Sequence, residues 1–503
     1  MASDTALVAS DTAMASASLS LASASSSLAD ALYAALGKRF STHHWETTPL
    51  LVQQSGLLAQ LSTLFSADDL PVLSRILQAR DNPHQVMREG NRCAPREVCL
   101  DFLDGGSIIL NKLDVHWPPV GRLCAALRKH FLHVFAVMYL TPRGSRAVPV
   151  HTDDQDVFIL QLAGRKSWSV YGSPVELPYS HEQRGKGVPI DRTALGPPLL
   201  EAELVPGSVL YIPRGFAHEA RATEGGASLH ITLTVQTSDL NWCNFINEGL
   251  VGLHRTHEEA RTPLPLDAAI GGYGADTIAL DAHGGIIDGV YLDSVERSEP
   301  TAARELSASG AAGDRGVAPP SMTSAQGSVQ GSAQGSAQIV RALIGATECE
   351  RSRAFDLAMD ALANKLNVLN NAQDAAVAAG EAPGSAALRG SALPPLLRCP
   401  PGVSMAVRAV PAHGDHVEAL GPSPSAGARA GATQLELVCS KQNGSLTTKH
   451  ASRFHDALAF IADAARTGTA FRPADLPGSD AFEQVALCSR LLSLQALVDG
   501  GPL

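Results

Sequence analysis

The residues best suited to chemistry in this sequence are two histidines and an aspartate. His151 and Asp153 form a His-x-Asp pair, and His218 follows after a long gap. Two imidazoles and one carboxylate on one side of a metal leave three adjacent coordination positions open, which is the ligand set of non-haem Fe(II) oxygenases. An open zinc site takes similar ligands, so spacing alone leaves both metals open. A His-x-Asp pair also occurs often by chance.

Short strands must position these three residues. His151 and Asp153 end the strand-like segment AVPVHTD, and side chains two residues apart on a strand point to the same face. We therefore expect both to reach one ion and Asp154 to point away. His218 follows the strand-like segment SVLYIP and a Pro-Arg-Gly turn, which is a rigid place for a third ligand.

The strand-like segment 229–236 carries polar residues at its even positions and apolar residues at its odd ones. The polar positions are His230, Thr232, Thr234 and Gln236. If the apolar face packs under helices or a second sheet, the polar face lines a cavity. The alternative is a half-exposed antiparallel strand with its polar face in water.

Lys166 begins the strand-like segment KSWSVY and shares a face with Trp168 and Val170. A lysine inside a barrel needs an anionic partner. The alternative is an ordinary surface lysine at a hairpin tip.

Composition narrows the class of protein. The chain has 503 residues and a formal net charge of -11, and this acidic balance argues against an electrostatic nucleic-acid binder. No apolar run approaches the roughly 20 residues of a membrane span. The first thirty residues carry no Lys or Arg, unlike a signal or transit peptide. The eight cysteines form no CxxC pair, so reduced thiols in an intracellular protein are expected.

Changes in composition and residue spacing along the chain predict its domains. Many short strands between Gly/Pro turns over 98–240 favour a sandwich or barrel. The Gly/Ser/Gln repeat in 305–338 predicts a flexible linker, and 373–433 reads mostly as another. Apolar residues at helical spacing recur in 339–372. Asp480 and Glu483 predict a capping box at the start of a final helix.

Several long motifs resemble the JmjC-type ribosomal oxygenases, in particular the nucleolar branch of histidyl-hydroxylases also described as lysine-specific demethylases. The motifs are FSTHHWETTPLL (40–51), YLTPRGS (139–145), PVHTDDQDVFILQLAGRKSWSVY (149–171), PGSVLYIPRGFAHEA (206–220) and SLHITLTVQT (228–237). The resemblance is strong over 31–250, weaker over 339–372, and returns over 434–498.

The resemblance implies a mainly β fold with flanking helices, the double-stranded β-helix of the cupin/JmjC jelly roll. It divides the chain into a disordered Ala/Ser-rich tail, a JmjC/cupin catalytic domain, a helical dimerisation region, two linkers and a C-terminal winged-helix-like domain. The tail is residues 1–30 and the catalytic domain is 31–245. The dimerisation region is 246–304 with 339–372. The linkers are 305–338 and 373–433, and the winged-helix-like domain is 434–503.

It also implies a cofactor and a co-substrate. Fe(II) would be held by His151, Asp153 and His218. The distal carboxylate of 2-oxoglutarate would meet Lys166, with Tyr139 and either Thr232 or Thr234 nearby. Two departures from the family pattern, Val137 and Arg146, lie near this expected pocket and leave the metal ligands intact.

The implied activity is hydroxylation of a histidine in a ribosomal protein. Histone lysine demethylation and a non-catalytic cupin that works as an assembly or binding protein are the alternatives. The resemblance further implies a homodimer and a nuclear or nucleolar location. In 434–503 the basic residues do not outnumber the acidic ones. We therefore expect this domain to contact protein and not to read DNA sequence.

Overall fold

The computed structural model describes eight stretches of the chain. They are residues 24–53, 55–81, 83–186, 188–256, 348–381, 393–411, 433–441 and 444–501. Two compact units are formed, one by 1–238 with 366–503 and one by 239–365. The linker predicted over 305–338 lies outside the described residues, as does most of 246–304.

Antiparallel strands form the centre of the first unit. In chain order they are β1 Leu50–Gln53, β2 Gln85–Arg88, β3 Asn91–Cys93, β4 Ser107–Leu110, β5 Val134–Thr141, β6 Asp156–Ala163, β7 Lys166–Val170, β8 Leu200–Leu204, β9 Ser208–Ile212, β10 His218–Ala222 and β11 Ser228–Val235. One sheet has the order β1-β9-β6-β11-β5-β4-β2-β3, and a second has the order β10-β7-β8. The prediction of an antiparallel β core with flanking helices is confirmed.

Helices cover one face of the larger sheet. They are α1 (24–36), α2 Ser55–Leu61, α3 Leu70–Gln78, α4 Val98–Leu103, α5 Leu113–His116 and α6 Pro118–Leu127. The second unit holds α7 Trp242–Thr256 and the first half of α8 Glu348–Glu381. Helix α1 begins inside the predicted tail, and its Leu32 and Leu36 pack into the main core. Among the described helices none is long and apolar enough to cross a membrane.

The period of two along a strand separates the two cores. On β6, Phe158 and Leu160 belong to the large core under the helices, whereas Val157 and Ile159 belong to a smaller core between the two sheets. Both faces of β6 are therefore covered, and nearly the whole strand is buried. The same alternation decides which face of β11 is enclosed with the site.

The C-terminal part of the first unit has a small sheet and two helices. Its elements are β12 Leu397–Arg398, β13 Ser404–Pro411, β14 Thr433–Lys441, β15 Gly444–Ala451, α9 His455–Thr467, α10 Ala481–Ser493 and β16 Val498–Asp499. Strands β13, β14 and β15 form an antiparallel sheet. The predicted capping box at Asp480 and Glu483 is present at the start of α10. The winged-helix assignment stays a prediction.

Regular structure extends into the stretch that composition assigned mostly to a linker. Helix α8 continues to Glu381, and β12 and β13 lie within 393–411. The Ala-rich sequence after residue 372 has high helix propensity. Gln373 fixes it to α5 and β5, because its side-chain amide donates to Asp114 Oδ2 at 2.7 Å and to the Val134 carbonyl at 2.9 Å.

Candidate metal centre

Backbone pairing places the two histidines opposite each other. His151 and His218 form an isolated antiparallel bridge. The His151 N–H donates to the His218 carbonyl at 3.1 Å, and the His218 N–H donates back at 2.9 Å. Side chains directly opposite in an antiparallel pair lie close together, and the two ring centroids are 4.4 Å apart.

Asp153 joins the histidines, although the predicted strand over 147–153 is wrong and only His151 makes an isolated bridge. Pro149 lacks the N–H that a paired strand would use. Its Oδ1 lies 3.8 Å from His151 Nε2, and its Oδ2 lies 3.5 Å from His218 Nε2. One ligand atom from each of the three residues falls within 4.8 Å of the others. Asp154 points elsewhere, as expected, and accepts hydrogen bonds from the hydroxyls of Ser180 and Ser238.

Hydrogen bonds to the backbone orient both rings. His151 Nδ1 lies 2.8 Å from the Pro149 carbonyl oxygen, and His218 Nδ1 lies 3.0 Å from the Phe216 carbonyl oxygen. A carbonyl only accepts, so each Nδ1 carries the proton. The Nε2 lone pairs therefore face Asp153, which is the tautomer and orientation a metal-binding histidine needs.

The protonation states also suit a cation. Burial lowers the pKa of His151 to about 3 and lowers the pKa of His218. Burial raises the pKa of Asp153, but the Lys186 ammonium and the two imidazoles more than offset this and hold it well below its usual range. Neutral imidazoles and an ionised carboxylate are the forms that bind a divalent metal.

The loop that carries Arg184 and Gly185 packs tightly on the segment that carries His151 and Asp153. The Thr152 N–H donates to the Arg184 carbonyl, and the Arg184 N–H donates to Thr152 Oγ1. Gly185 has φ +80° and lies so close to Val150 and His151 that a Cβ would clash with their backbone. The Lys186 ammonium consequently reaches the Asp153 carboxylate.

Lys166 is buried at the head of β7 with only 2% of its surface exposed. Its Nζ donates to Thr141 Oγ1 at 3.0 Å and lies 5.9 Å from the ring centroids of both Tyr139 and Trp168. In the described part of the chain no carboxylate forms an ion pair with it. Burial therefore lowers the pKa of Lys166 to about 7.

The polar face of β11 is buried, so the half-exposed alternative is wrong. His230, Thr232 and Thr234 are all less than a tenth exposed. The His230 ring stacks on Tyr139 with centroids 4.8 Å apart. Thr232 pairs with Val137 and Thr234 with Phe135, so each step away from Tyr139 adds about 7 Å. The register favours Thr232 over Thr234 as the neighbour of Lys166.

Sequence reasoning assigned no role to several residues of this site. Thr141 and Lys186 were not singled out, and His230 was seen only as part of a polar face. His230 Nδ1 and Trp168 Nε1 are buried and find no hydrogen-bond partner among the described residues. Burial and the charge of Lys166 hold the pKa of His230 well below its usual value. The alternation in 229–236 signals His230, whereas the loop that carries Lys186 has no pattern from which to infer its contact.

Comparison with known proteins agrees with this architecture. Residues 114–242 match the JmjC domain model. The chain is 33% identical over 268 residues to "Ribosomal oxygenase 1" of Gallus gallus, covering 49% of this chain and 43% of that protein. It is 30% identical over 244 residues to "Bifunctional lysine-specific demethylase and histidyl-hydroxylase NO66" of Aedes aegypti, covering 45% and 38%. The chain thus covers less than half the length of both relatives.

A solved structure is also similar. The ribosomal oxygenase YcfD of Escherichia coli, described in complex with cobalt and 2-oxoglutarate, is 16% identical, with coverage of 92% of this chain and 97% of that chain and a TM-score of 0.31.

The antiparallel β core and its His-x-Asp and His cluster define a JmjC-type domain. The matches to ribosomal oxygenases and to NO66 are similarities that extend over less than half of this chain.

Proposed function

We propose that this protein is an Fe(II)- and 2-oxoglutarate-dependent dioxygenase that hydroxylates a histidine of a ribosomal protein. The observation that carries the proposal is a buried three-ligand cluster together with a buried lysine, Lys166, to which the described residues supply no counterion. The first feature suits a redox metal with open positions. The second suits an anionic co-substrate.

The donor set fits Fe(II). His151, Asp153 and His218 would hold the ion through two Nε2 atoms and one carboxylate oxygen. Zinc accepts the same donors, so the choice of iron rests on the neighbouring pocket. A hydrolytic zinc site has no need of a buried lysine, whereas a dicarboxylate co-substrate supplies the charge that Lys166 lacks.

The pocket fits 2-oxoglutarate. Lys166 and the Thr141 hydroxyl would bind the distal carboxylate, with Tyr139 and Thr232 or Thr234 along the wall. The orphaned N–H of Trp168 is a further donor inside the barrel. A buried polar group without a partner costs free energy, so a polar ligand at this position would relieve that cost.

The protein's own residues would hold the metal, orient the co-substrate and exclude water from the site. Bound iron would supply the redox chemistry that couples decarboxylation of 2-oxoglutarate to oxidation of a C–H bond. The carbonyls of Pro149 and Phe216 keep both ligand imidazoles in one tautomer. Lys166 fixes one end of the co-substrate so that its other end faces the ligand cluster. The rings of Tyr139 and Trp168 line the barrel and exclude water.

The ribosomal substrate is supported by the relatives' names, "Ribosomal oxygenase" and "histidyl-hydroxylase". The name of NO66 also includes a lysine-specific demethylase, which makes histone demethylation the second candidate. Val137 lies in a small apolar cluster with Ile109 and Ala147. The guanidinium of Arg146 lies 3.6 Å from Glu219, next to a metal ligand in sequence. Val137 and Arg146 therefore affect the choice of substrate and leave the ligand cluster intact. A non-catalytic cupin is the third candidate.

A homodimer and a nuclear or nucleolar location are part of the proposal. In the second unit, Trp242 is 77% exposed and Phe355 is 55% exposed, and large exposed aromatic groups mark interaction surfaces. The location follows from the family alone. For the C-terminal domain we propose a winged-helix fold with a protein-contact role and no reading of DNA sequence.

The test is turnover of purified protein with Fe(II), 2-oxoglutarate and candidate peptides. Succinate formation together with a gain of roughly 16 Da on a histidine, one oxygen atom, is the expected result. Loss of methyl groups from a histone peptide would instead favour the demethylase. Binding of 2-oxoglutarate without any turnover would favour the non-catalytic cupin.

A further inference from the structure

A buried ion cluster joins the last helix to the barrel. Glu483, in the first turn of α10, is 2% exposed. Its carboxylate accepts from Arg143 Nη2 at 2.7 Å and from Arg453 Nε at 3.0 Å. Arg453 is also fixed from another side, because its Nη2 donates to the Leu103 carbonyl at the end of α4.

The cap residue of the same helix holds a second barrel segment. Asp480 Oδ1 accepts from the N–H groups of Phe482 and Glu483, and its Oδ2 accepts from the Ala227 N–H at 2.7 Å. Arg143 Nη2 lies 3.8 Å from the same Oδ2. The start of α10 therefore binds two chain segments of the barrel at once.

Both segments lead directly to the lysine pocket. Arg143 lies two residues after Thr141, and Ala227 lies one residue before Ser228. Thr141 and Ser228 are partners in the β5–β11 ladder. Thr141 is the residue whose hydroxyl accepts from Lys166 Nζ. The start of α10 thus sits directly behind the only side-chain hydrogen bond that Lys166 makes in the described structure.

Electrostatics makes this contact specific. A buried carboxylate between two guanidinium groups is costly to break, because removing one partner leaves an uncompensated charge. Both carboxylate oxygens of Glu483 accept from a guanidinium, one from Arg143 and one from Arg453, which holds these side chains in one arrangement. The backbone at residues 141–143 is held in place by a domain that contributes nothing to the metal ligands.

We propose that Glu483 and Asp480 are positioning residues for the anion pocket, and that the C-terminal domain completes the active site by fixing the Thr141–Arg143 segment beside Lys166. The inference rests on the proposed function in one respect, that the anion of Lys166 is 2-oxoglutarate. The domain is then part of the catalytic unit and not an appended binding module.

The test compares Glu483→Gln with Asp463→Asn in the full chain. Asp463 is an exposed carboxylate of α9 that pairs with Arg466, so it controls for the loss of a surface charge. Calorimetry would measure affinity for Mn(II) alone and then for 2-oxoglutarate with Mn(II) bound. We expect Glu483→Gln to weaken 2-oxoglutarate binding about tenfold, as for displacement of a binding group by a distant contact. Mn(II) affinity should stay at the parent value, and Asp463→Asn should match the parent throughout.

Two further variants separate positioning from stability. Arg453→Gln removes the partner of Glu483 that does not lead to the pocket, so it should lower Tm while 2-oxoglutarate affinity is retained. Arg143→Gln removes the partner that does lead there, and should reproduce the loss of affinity even if Glu483→Gln does not fold. Parent-like affinity in Arg143→Gln, or equal losses in Arg143→Gln and Arg453→Gln, would overturn the inference. A parent protein that does not bind 2-oxoglutarate would instead refute the proposed function.

Discussion

His151 and His218 exchange two backbone hydrogen bonds, with N···O distances of 3.1 and 2.9 Å. The bridge brings together two ligands that are far apart in sequence. It also fixes the position of one imidazole ring relative to the other, so that the carboxylate of Asp153 reaches both rings. Main-chain pairing therefore builds most of the candidate metal centre, and its side chains can be changed without removing the pairing itself.

Replacement of Asp153 by Ala should abolish metal binding and turnover while the fold is retained. The carboxylate is the only anionic donor of the cluster, and its loss leaves two neutral imidazoles. We expect Mn(II) affinity to fall by about 100-fold or more, beyond the 10- to 100-fold range seen when a partner of a ligand is lost. Calorimetry measures it, and circular dichroism checks the fold. Asp154→Asn is the matched control, and equal metal affinity in the two variants would show that the ligand assignment is wrong.

Replacement of Lys166 by Met should remove 2-oxoglutarate affinity and leave metal affinity unchanged. In the parent, affinity should also depend on pH. The pKa of Lys166 is lowered to about 7, and a dianion needs the charged form. Binding should therefore weaken as pH rises from about 6 to about 8, with proton uptake in the upper part of that range. Calorimetry in buffers of different ionisation enthalpy detects the uptake, and its absence would contradict the assignment of the lysine.

The lowered pKa of Lys166 also predicts that the stability of the protein without co-substrate depends on pH. The folded pKa of about 7 lies below the ordinary lysine pKa of 10.5, so the unfolded chain binds more protons between these values. Stability therefore rises with pH across this window, by at most about 1.4 kcal/mol per pH unit. Thermal unfolding of the parent and of Lys166→Met at several pH values isolates the effect. Parallel pH profiles for the two proteins would show that Lys166 titrates normally.

Tyr211→Phe should destabilise the barrel without reaching the metal. The Tyr211 hydroxyl donates to the buried Asp156 carboxylate and accepts from the Glu46 N–H at 2.8 Å. Removing it leaves both groups short of a partner, which costs about 1–3 kcal/mol. Denaturant unfolding measures the loss. Tyr33→Phe, at a ring that is 37% exposed, should change stability little, and a comparable loss there would point to a general effect of removing hydroxyls.

Trp242→Ser should shift the protein from dimer to monomer if the exposed aromatic surface of the second unit is the interface. Hot-spot residues of this type commonly contribute about 2 kcal/mol or more to association. Light scattering coupled to size-exclusion chromatography gives the mass of parent and variant over a dilution series. Leu132→Ser, at a 51% exposed leucine of the first unit, is the control. A parent that is monomeric at all concentrations would remove the dimer from the proposal.

Part of this site follows from the period of a strand. Alternation in 229–236 predicted the polar face that carries His230. The His-x-Asp spacing predicted that His151 and Asp153 reach one ion, although residues 147–153 form no regular strand. The alternation of side chains along a strand is a local property, so it can be predicted from one sequence. The hydroxyl of Thr141 and the ammonium of Lys186 could not be assigned in this way. Their contacts depend on how loops and neighbouring strands pack, which no periodic pattern encodes.

The C-terminal boundary shows the same limit. Composition assigns the Ala-rich stretch after residue 372 mostly to a linker, because it has too few large apolar residues to show which face would be covered. The buried side-chain amide of Gln373 stabilises the helix by donating hydrogen bonds to Asp114 and Val134. Those partners lie more than two hundred residues earlier in the chain. The Asp480 and Glu483 box, by contrast, is a local signature and was predicted.

Both ligand rings are aligned by acceptors that belong to the peptide chain, the carbonyls of Pro149 and Phe216. A carboxylate in that role could be lost by one substitution, and with it the correct tautomer. A peptide carbonyl is present whatever side chain its residue carries. Drift in the surrounding sequence can therefore reshape the mouth of the barrel for a new target while the two imidazoles keep their aim.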